Sequence, residues 1–297
     1  MKFATRILAI GTLAVFLCAA ALALLVRDRP AQPPVGERVV IHGAAGELVY
    51  YRQGSGPAVV LLPSFARSAS DFDALATGLA AAGFRTLALQ PRGVDGSAFG
   101  PWAPSLKDFA TDVVAVLDAE GGVRAHAVLG HAYGNRIARV LATHYPERLD
   151  SLILFSAGGE TPPPDDVSAA IRKAIFGFDG PARDEAIHFA FFADGNPVPP
   201  EWRSGWYPAA GILQTRATTA QSPASWRGGG QAKMLVLQPQ EDKPAPSERS
   251  MRLAADFPAR VTLRVIAGAG HALLPERPQE VLDTVIGFLR AVRERDR

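Results

Sequence analysis

Short apolar runs alternate with longer amphipathic segments over most of this chain, and that alternation constrains its fold more than any single motif. The runs Ala58–Leu62, Phe84–Leu89, Ala125–Leu129, Ser151–Phe155, Lys233–Gln238 and Arg260–Ile266 are bounded by glycine, proline or polar clusters and read as buried strands. Helical patterns lie between them: from about Asp71 to Ala82 ending at Gly83, over Leu106–Ala119, through Ile137 and Leu141 to a stop at Pro146, over Ser247–Asp256, and finally through Val281, Leu282, Val285, Ile286 and Leu289. Strands and helices in alternation give a mainly parallel sheet covered on both faces. Two earlier strands, Arg38–His42 and Glu47–Arg52, meet at a glycine-containing turn and read as an opening hairpin.

The alternation breaks once. Residues 159–232 carry proline clusters, helical patterns near 165–178 and 181–193, and the tryptophans Trp202, Trp206 and Trp226. This stretch reads as a cap inserted into a core made of residues 37–158 and 233–297. In the helix over Leu106–Ala119, Leu106, Phe109, Val113, Val116 and Leu117 form one apolar stripe, with Lys107, Asp108 and Asp112 expected to face away.

The N-terminus has a different character. Lys2 and Arg6 precede an uncharged run from Ile7 to Val26, so residues 1–26 read as a signal peptide or an N-terminal membrane anchor, followed by a proline-rich linker over 27–36. The positive charge ahead of the run predicts an exported body, periplasmic or otherwise extracytoplasmic, with membrane association through residues 7–26 if the leader is retained. The single cysteine, Cys18, lies inside that leader, which leaves the body without disulfides, a thiol nucleophile or thiolate metal ligands.

A formal net charge of +2 without long like-charge blocks argues against nucleic acid as a partner. His42, His126, His144 and His188 have no paired metal-ligand spacing, so no metal is expected. Gly228-Gly229-Gly230 follows the cap rather than a strand and reads as a connection, not a phosphate loop, and no cofactor is expected.

The strand at Ala125–Leu129 runs into Gly130-His131-Ala132-Tyr133-Gly134-Asn135 and then a helix. Glycines on both sides of a sharp strand-to-helix turn make room for the close backbone approach that lifts the residue between them above the sheet. Other segments fit the same plan in order: Leu61-Leu62-Pro63-Ser64-Phe65 after one strand, Gln90-Pro91-Arg92-Gly93-Val94-Asp95-Gly96-Ser97 after the next, Gln238 to Pro246 around Glu241 and Asp242, and Gly268-Ala269-Gly270-His271 near the end. In these features the chain resembles the α/β-hydrolase superfamily from roughly Val35 to Val292. The resemblance implies an α/β fold with a mostly parallel eight-stranded sheet, helices on both faces and an inserted helical cap.

It also implies roles. Asp242, with Glu241 as the alternative acid, would orient His271, and the backbone N–H groups of Phe65 and Tyr133 would form an oxyanion hole. The departure is at the elbow itself, where Ala132 stands in the nucleophile position and its methyl group can attack nothing. Three readings follow: His271 and Asp242 act as a general base without a covalent nucleophile, the fold serves as an inactive ligand-binding or signalling module, or the sequence is an engineered nucleophile-to-alanine variant of a serine hydrolase. Ser64, in the expected oxyanion loop, is the alternative nucleophile. His131 is expected to pack beneath the elbow, and Asn135 to bond free N–H groups at the helix start. The aromatic residues of the cap point to a small apolar molecule of ester or acyl type as the ligand.

Overall fold

The computed structural model describes residues 26–158 and 161–295; the expected leader, save Val26, lies outside the described residues. Among them, no helix is long and apolar enough to cross a membrane. Eight strands form one sheet: β1 (Glu37–Gly43), β2 (Gly46–Gly54), β3 (Ala58–Leu62), β4 (Arg85–Leu89), β5 (Ala127–His131), β6 (Ser151–Phe155), β7 (Lys233–Pro239) and β8 (Val261–Ile266). Their order is β1-β2-β4-β3-β5-β6-β7-β8, with the β1–β2 and β2–β4 pairs antiparallel and the remainder parallel.

Strand alternation divides the core in two. On β3, Val60 and Leu62 face one layer, where Phe109, Val113, Val116 and Leu117 of α2 (Leu106–Ala119) meet Leu141 of α3 (Tyr133–His144). Val59 and Leu61 face the other, against Leu75 and Leu79 of α1 (Asp73–Ala81) and Val281, Val285 and Leu289 of the last helix. Each fully buried leucine or valine contributes roughly 1.5–3 kcal/mol, so the two layers supply most of what holds the sheet. Ser105 starts α2 through a capping box with Asp108.

Two local expectations change. Asp112 does not face away: it is buried and pairs with Arg92 at 2.6 Å, because the loop after β4 folds over α2 and brings a guanidinium that needs a carboxylate. The elbow strand begins and ends two residues later than the apolar run suggests, at Ala127–His131, because the register with β3 and β6 carries pairing through Gly130 and His131.

Among the described residues between β6 and β7 lie three α-helices, α4 (Asp165–Phe176), α5 (Pro181–Phe191) and α6 (Pro208–Thr219), of which α6 has no counterpart among the sequence expectations. Trp226 also departs from the expected cap grouping, because its ring joins the sheet core beneath Arg139. The linker is strapped to this region. The carbonyl of Arg29 accepts the N–H of Gly205 and of Trp206, and its guanidinium reaches Asp179 and the carbonyls of Ile175 and Gly177. After β7 come α7 (Ser247–Asp256), the short α8 (Leu273–Glu276) and α9 (Pro278–Arg295).

Candidate active site

The elbow is strained as its sequence requires. Ala132 has φ 48° and ψ −100°, a conformation that costs a non-glycine residue about 1–3 kcal/mol and persists only where its surroundings impose it. Here they do. A side chain at Gly130 would strike the Asn135 amide, one at Gly134 would strike the Leu62 carbonyl, and the Ala132 N–H is tied to the Phe155 carbonyl at 3.0 Å. The turn therefore presents position 132 to a cavity above the carboxyl ends of the strands, at the N-terminus of α3, where the helix dipole favours negative charge.

His271 reaches the same cavity from the loop after β8. Its Nδ1 is 2.8 Å from Asp242 Oδ1, and both side chains are almost wholly buried. The carboxylate oxygen also accepts the Ala245 N–H at 2.8 Å, which fixes the acid after β7. With Nδ1–H donated to Asp242, Nε2 is the ring nitrogen left to work at the cavity. Glu241 is not brought to the histidine: it is exposed and accepts the Asp194 N–H at 3.3 Å.

Beneath the elbow, His131 donates from Nε2 to the His271 carbonyl at 2.9 Å, its ring 5.0 Å from that of His271. Burial, reinforced by His271, holds the His131 imidazole well below its ordinary range, so it stays neutral. Asn135 behaves otherwise than expected. Its amide group donates to the Ser156 carbonyl at 3.1 Å and its oxygen accepts from Arg139, because α3 starts at Tyr133 and leaves Asn135 inside the first turn.

Phe65 and Tyr133 face each other edge to face, with ring centroids 6.0 Å apart, and both line the cavity. Their backbone N–H groups donate to no other group among the described residues. Ser64 is buried and lines the cavity as well. The loop holding these residues is clamped from the cap: Gln214 of α6 accepts the Ala66 N–H at 2.8 Å, and Gly211 lets α6 approach Phe65 and Ala66. Gln214 carried no sequence signal, since α6 is built from small and polar residues with little apolar periodicity.

Glu276 is a second contact that sequence reading missed. One carboxylate oxygen accepts the Gly270 N–H at 2.8 Å, beside His271, and the other accepts the Ala193 N–H at 2.8 Å and the Asn196 amide at 2.6 Å. It ties the histidine loop to the cap across a distance that no local pattern encodes. Arg136 is the third, and its spacing of one helical turn from Ala132 was a readable signal.

The cavity holds about 580 Å³, enough for a drug-sized molecule. One wall is aromatic: Phe191, Trp202 and Trp206 are in mutual contact, and Arg67 lies 4.6 Å from both indole rings while paired with Asp71 at 2.5 Å. Of the other cap aromatics, Phe178 and Phe189 are exposed. Among the described residues no cluster of side chains could hold a metal ion.

Comparison with known proteins agrees with this geometry. A family model described as "Alpha/beta hydrolase family" matches residues 59–284. A protein of Variovorax paradoxus (strain S110), provisionally described as carbamate hydrolase RutD, is 37% identical over 103 residues, which span 34% of this chain and only 38% of that relative. The protein so described in Caulobacter segnis is 34% identical over 209 residues, spanning 64% of this chain and 74% of the relative. A thermophilic esterase from Thermogutta terrifontis, solved with malate bound, superposes with a TM-score of 0.72 at 24% identity, covering 86% of this chain and 99% of that one. With the sheet order, the strained elbow and the family match all pointing the same way, the chain belongs to the alpha/beta hydrolase family.

Proposed function

We propose that this protein hydrolyses a small, largely apolar carbonyl compound of ester or acyl type without a covalent intermediate at the elbow. The observation that carries this reading is the His271–Asp242 pair at 2.8 Å, intact beside a residue that has no nucleophile to activate. His271 Nε2 takes a proton from water as the water oxygen bonds to the substrate carbonyl carbon, and the carbonyl electrons move onto oxygen, facing the N–H groups of Phe65 and Tyr133. Collapse of that intermediate restores the carbonyl and breaks the bond to the leaving group, which receives the proton from His271. A carbamate, named for the relatives in Variovorax and Caulobacter, is such a carbonyl compound. The uncharged run after Lys2 and Arg6 supports a site of action outside the cytoplasm.

The purified full-length protein, assayed on short and medium p-nitrophenyl esters beside His271→Ala and Ala132→Ser, tests this. We expect parent turnover that falls by roughly 10²–10⁴-fold in His271→Ala, the range for loss of a general base. A wholly inert parent that becomes active as Ala132→Ser would reject base catalysis and leave a ligand-binding module on a preserved hydrolase frame.

A further inference from the structure

The cavity carries cationic side chains that the proposed hydrolysis does not use. Among the described residues its lining includes Arg67, Arg136, Arg172 and Arg249 and no carboxylate. Arg67 is already neutralised by Asp71, and Arg172 is exposed. Arg249 donates to the carbonyls of Pro162 and Pro244. Arg136, one helical turn after the elbow on α3, is different. Its described hydrogen bond goes to a neutral hydroxyl, Thr218 Oγ1 at 3.0 Å, and its guanidinium lies 5.7 Å from the Tyr133 ring. Its Nε is buried without a hydrogen-bond partner.

Burial and then the Arg249 charge both lower its hold on a proton, although it stays a cation at neutral pH. A part-buried cation with no counter-charge among the described residues is unfavourable unless something supplies one. Ser156 makes the point independently: the residue lines the cavity, is 1% exposed, and its Oγ is buried without a hydrogen-bond partner. It sits next to β6, held at φ 54°, and its carbonyl is fixed by Asn135 of the same helix that carries Arg136.

We propose that the cavity selects a carboxylate-bearing acyl compound, with the carboxylate held by Arg136 and the Ser156 hydroxyl and the reacting carbonyl held at the elbow. This deepens the hydrolytic reading and rests on it for the placement of the carbonyl. One guanidinium without a carboxylate partner among the described residues, hydrogen-bonded to the neutral Thr218 hydroxyl, matches a single negative charge better than a dianion. Phe65, Ile171 and Ile175, which share the lining, supply apolar surface for the chain that joins the carboxylate to the carbonyl. The half-ester of a medium-chain dicarboxylic acid has this arrangement.

Binding of monomethyl suberate and of dimethyl suberate to the full-length protein, measured by titration calorimetry at two salt concentrations, tests the charge preference without any need for turnover. The half-ester is expected to bind at least about tenfold more tightly than the diester, a preference that weakens in high salt. Arg136→Gln should erase that preference while leaving diester affinity within about twofold, and Arg136→Lys, which keeps the charge but loses the fork, should retain part of it. Equal affinity for the two probes in the parent, or an unchanged preference in a folded Arg136→Gln, overturns the proposal. A retained preference with no ester turnover would reject the hydrolytic reading alone.

Discussion

The two walls of the cavity are made by different means. The wall carried by the sheet is fixed by backbone against backbone: Gly134 against the Leu62 carbonyl, Gly130 against the Asn135 amide, and the Ala132 N–H on the Phe155 carbonyl. The wall carried by the cap is held through side chains: Gln214 on the Ala66 N–H, Glu276 on Gly270 and Ala193, and Arg67 against two indoles. Backbone contacts leave no room for substitution, whereas side-chain contacts can be trimmed one at a time. Chemistry that needs fixed geometry sits on the first wall together with Arg136 and Ser156, and the aromatic surface sits on the second.

The largest effect should come from Gly134→Ala. Its new methyl group has a backbone carbonyl in its way, and we expect a loss of about 4 kcal/mol or more in urea unfolding, above the usual range for a point mutation. A loss under about 1 kcal/mol would show that the sheet wall can yield, and the comparison would fail. Trp206→Ala comes next. The removal of a large aromatic residue that is 1% exposed costs roughly 3–5 kcal/mol, but we expect it to be spent on local opening. Limited proteolysis should then cut within the cap while the core keeps its unfolding midpoint; one cooperative transition shifted as a whole would mean the two walls form a single unit.

Acid should weaken the sheet wall through His131. The folded chain keeps this imidazole neutral, while the unfolded chain protonates it near its usual pKa of about 6.5. The folded pKa is the lower of the two, so the unfolded state binds the extra proton, and stability falls as pH drops below about 6.5, by up to about 1.4 kcal/mol per pH unit. His131→Gln should flatten that slope between pH 7 and pH 5; an unchanged slope would assign it to other groups.

The smallest effect concerns the linker where it meets the sheet side. Burial lifts the Asp73 carboxyl to about 6, against the Val35 N–H that it accepts at 3.0 Å. An acid with a raised folded pKa contributes most when protonated, and that contribution is lost as pH rises through about 6. Asp73→Asn should therefore raise the unfolding free energy at pH 8 by roughly 1 kcal/mol after allowing for partial solvent exposure, with the gain gone at pH 4. A gain independent of pH would point to a cause other than ionisation.

The same division explains what the sequence made legible. Strands that are buried throughout, such as Ala58–Leu62 and Ser151–Phe155, matched their observed bounds because burial on both faces leaves no ambiguity. The elbow glycines and the Gly-x-Gly-His segment announced themselves because sharp turns demand particular residues. The cap did not. The pattern of α6 is Pro-Ala-Ala-Gly-Ile-Leu-Gln-Thr-Arg-Ala-Thr-Thr, in which small residues needed for close approach to Phe65 and Ala66 replace the apolar stripe that would have marked a helix. Asp112 misled for a related reason: a carboxylate on a helix reads as solvent-facing unless one knows that Arg92 arrives from another loop.

Placing the cap between β6 and β7 also bears on how quickly the chain can find its structure. Phe155 and Leu237 are adjacent partners across a parallel pair, yet about eighty residues separate them along the chain. Closing a loop that long adds little to the equilibrium penalty, since each doubling of length costs only about 0.6 kcal/mol, but it postpones the pairing kinetically. Strands β1 to β6 can assemble while Asp242 and His271 are still far from the elbow. During refolding, the hydrogen bond between those two residues should be among the last to form, and an early intermediate would expose the edge of β6 to aggregation.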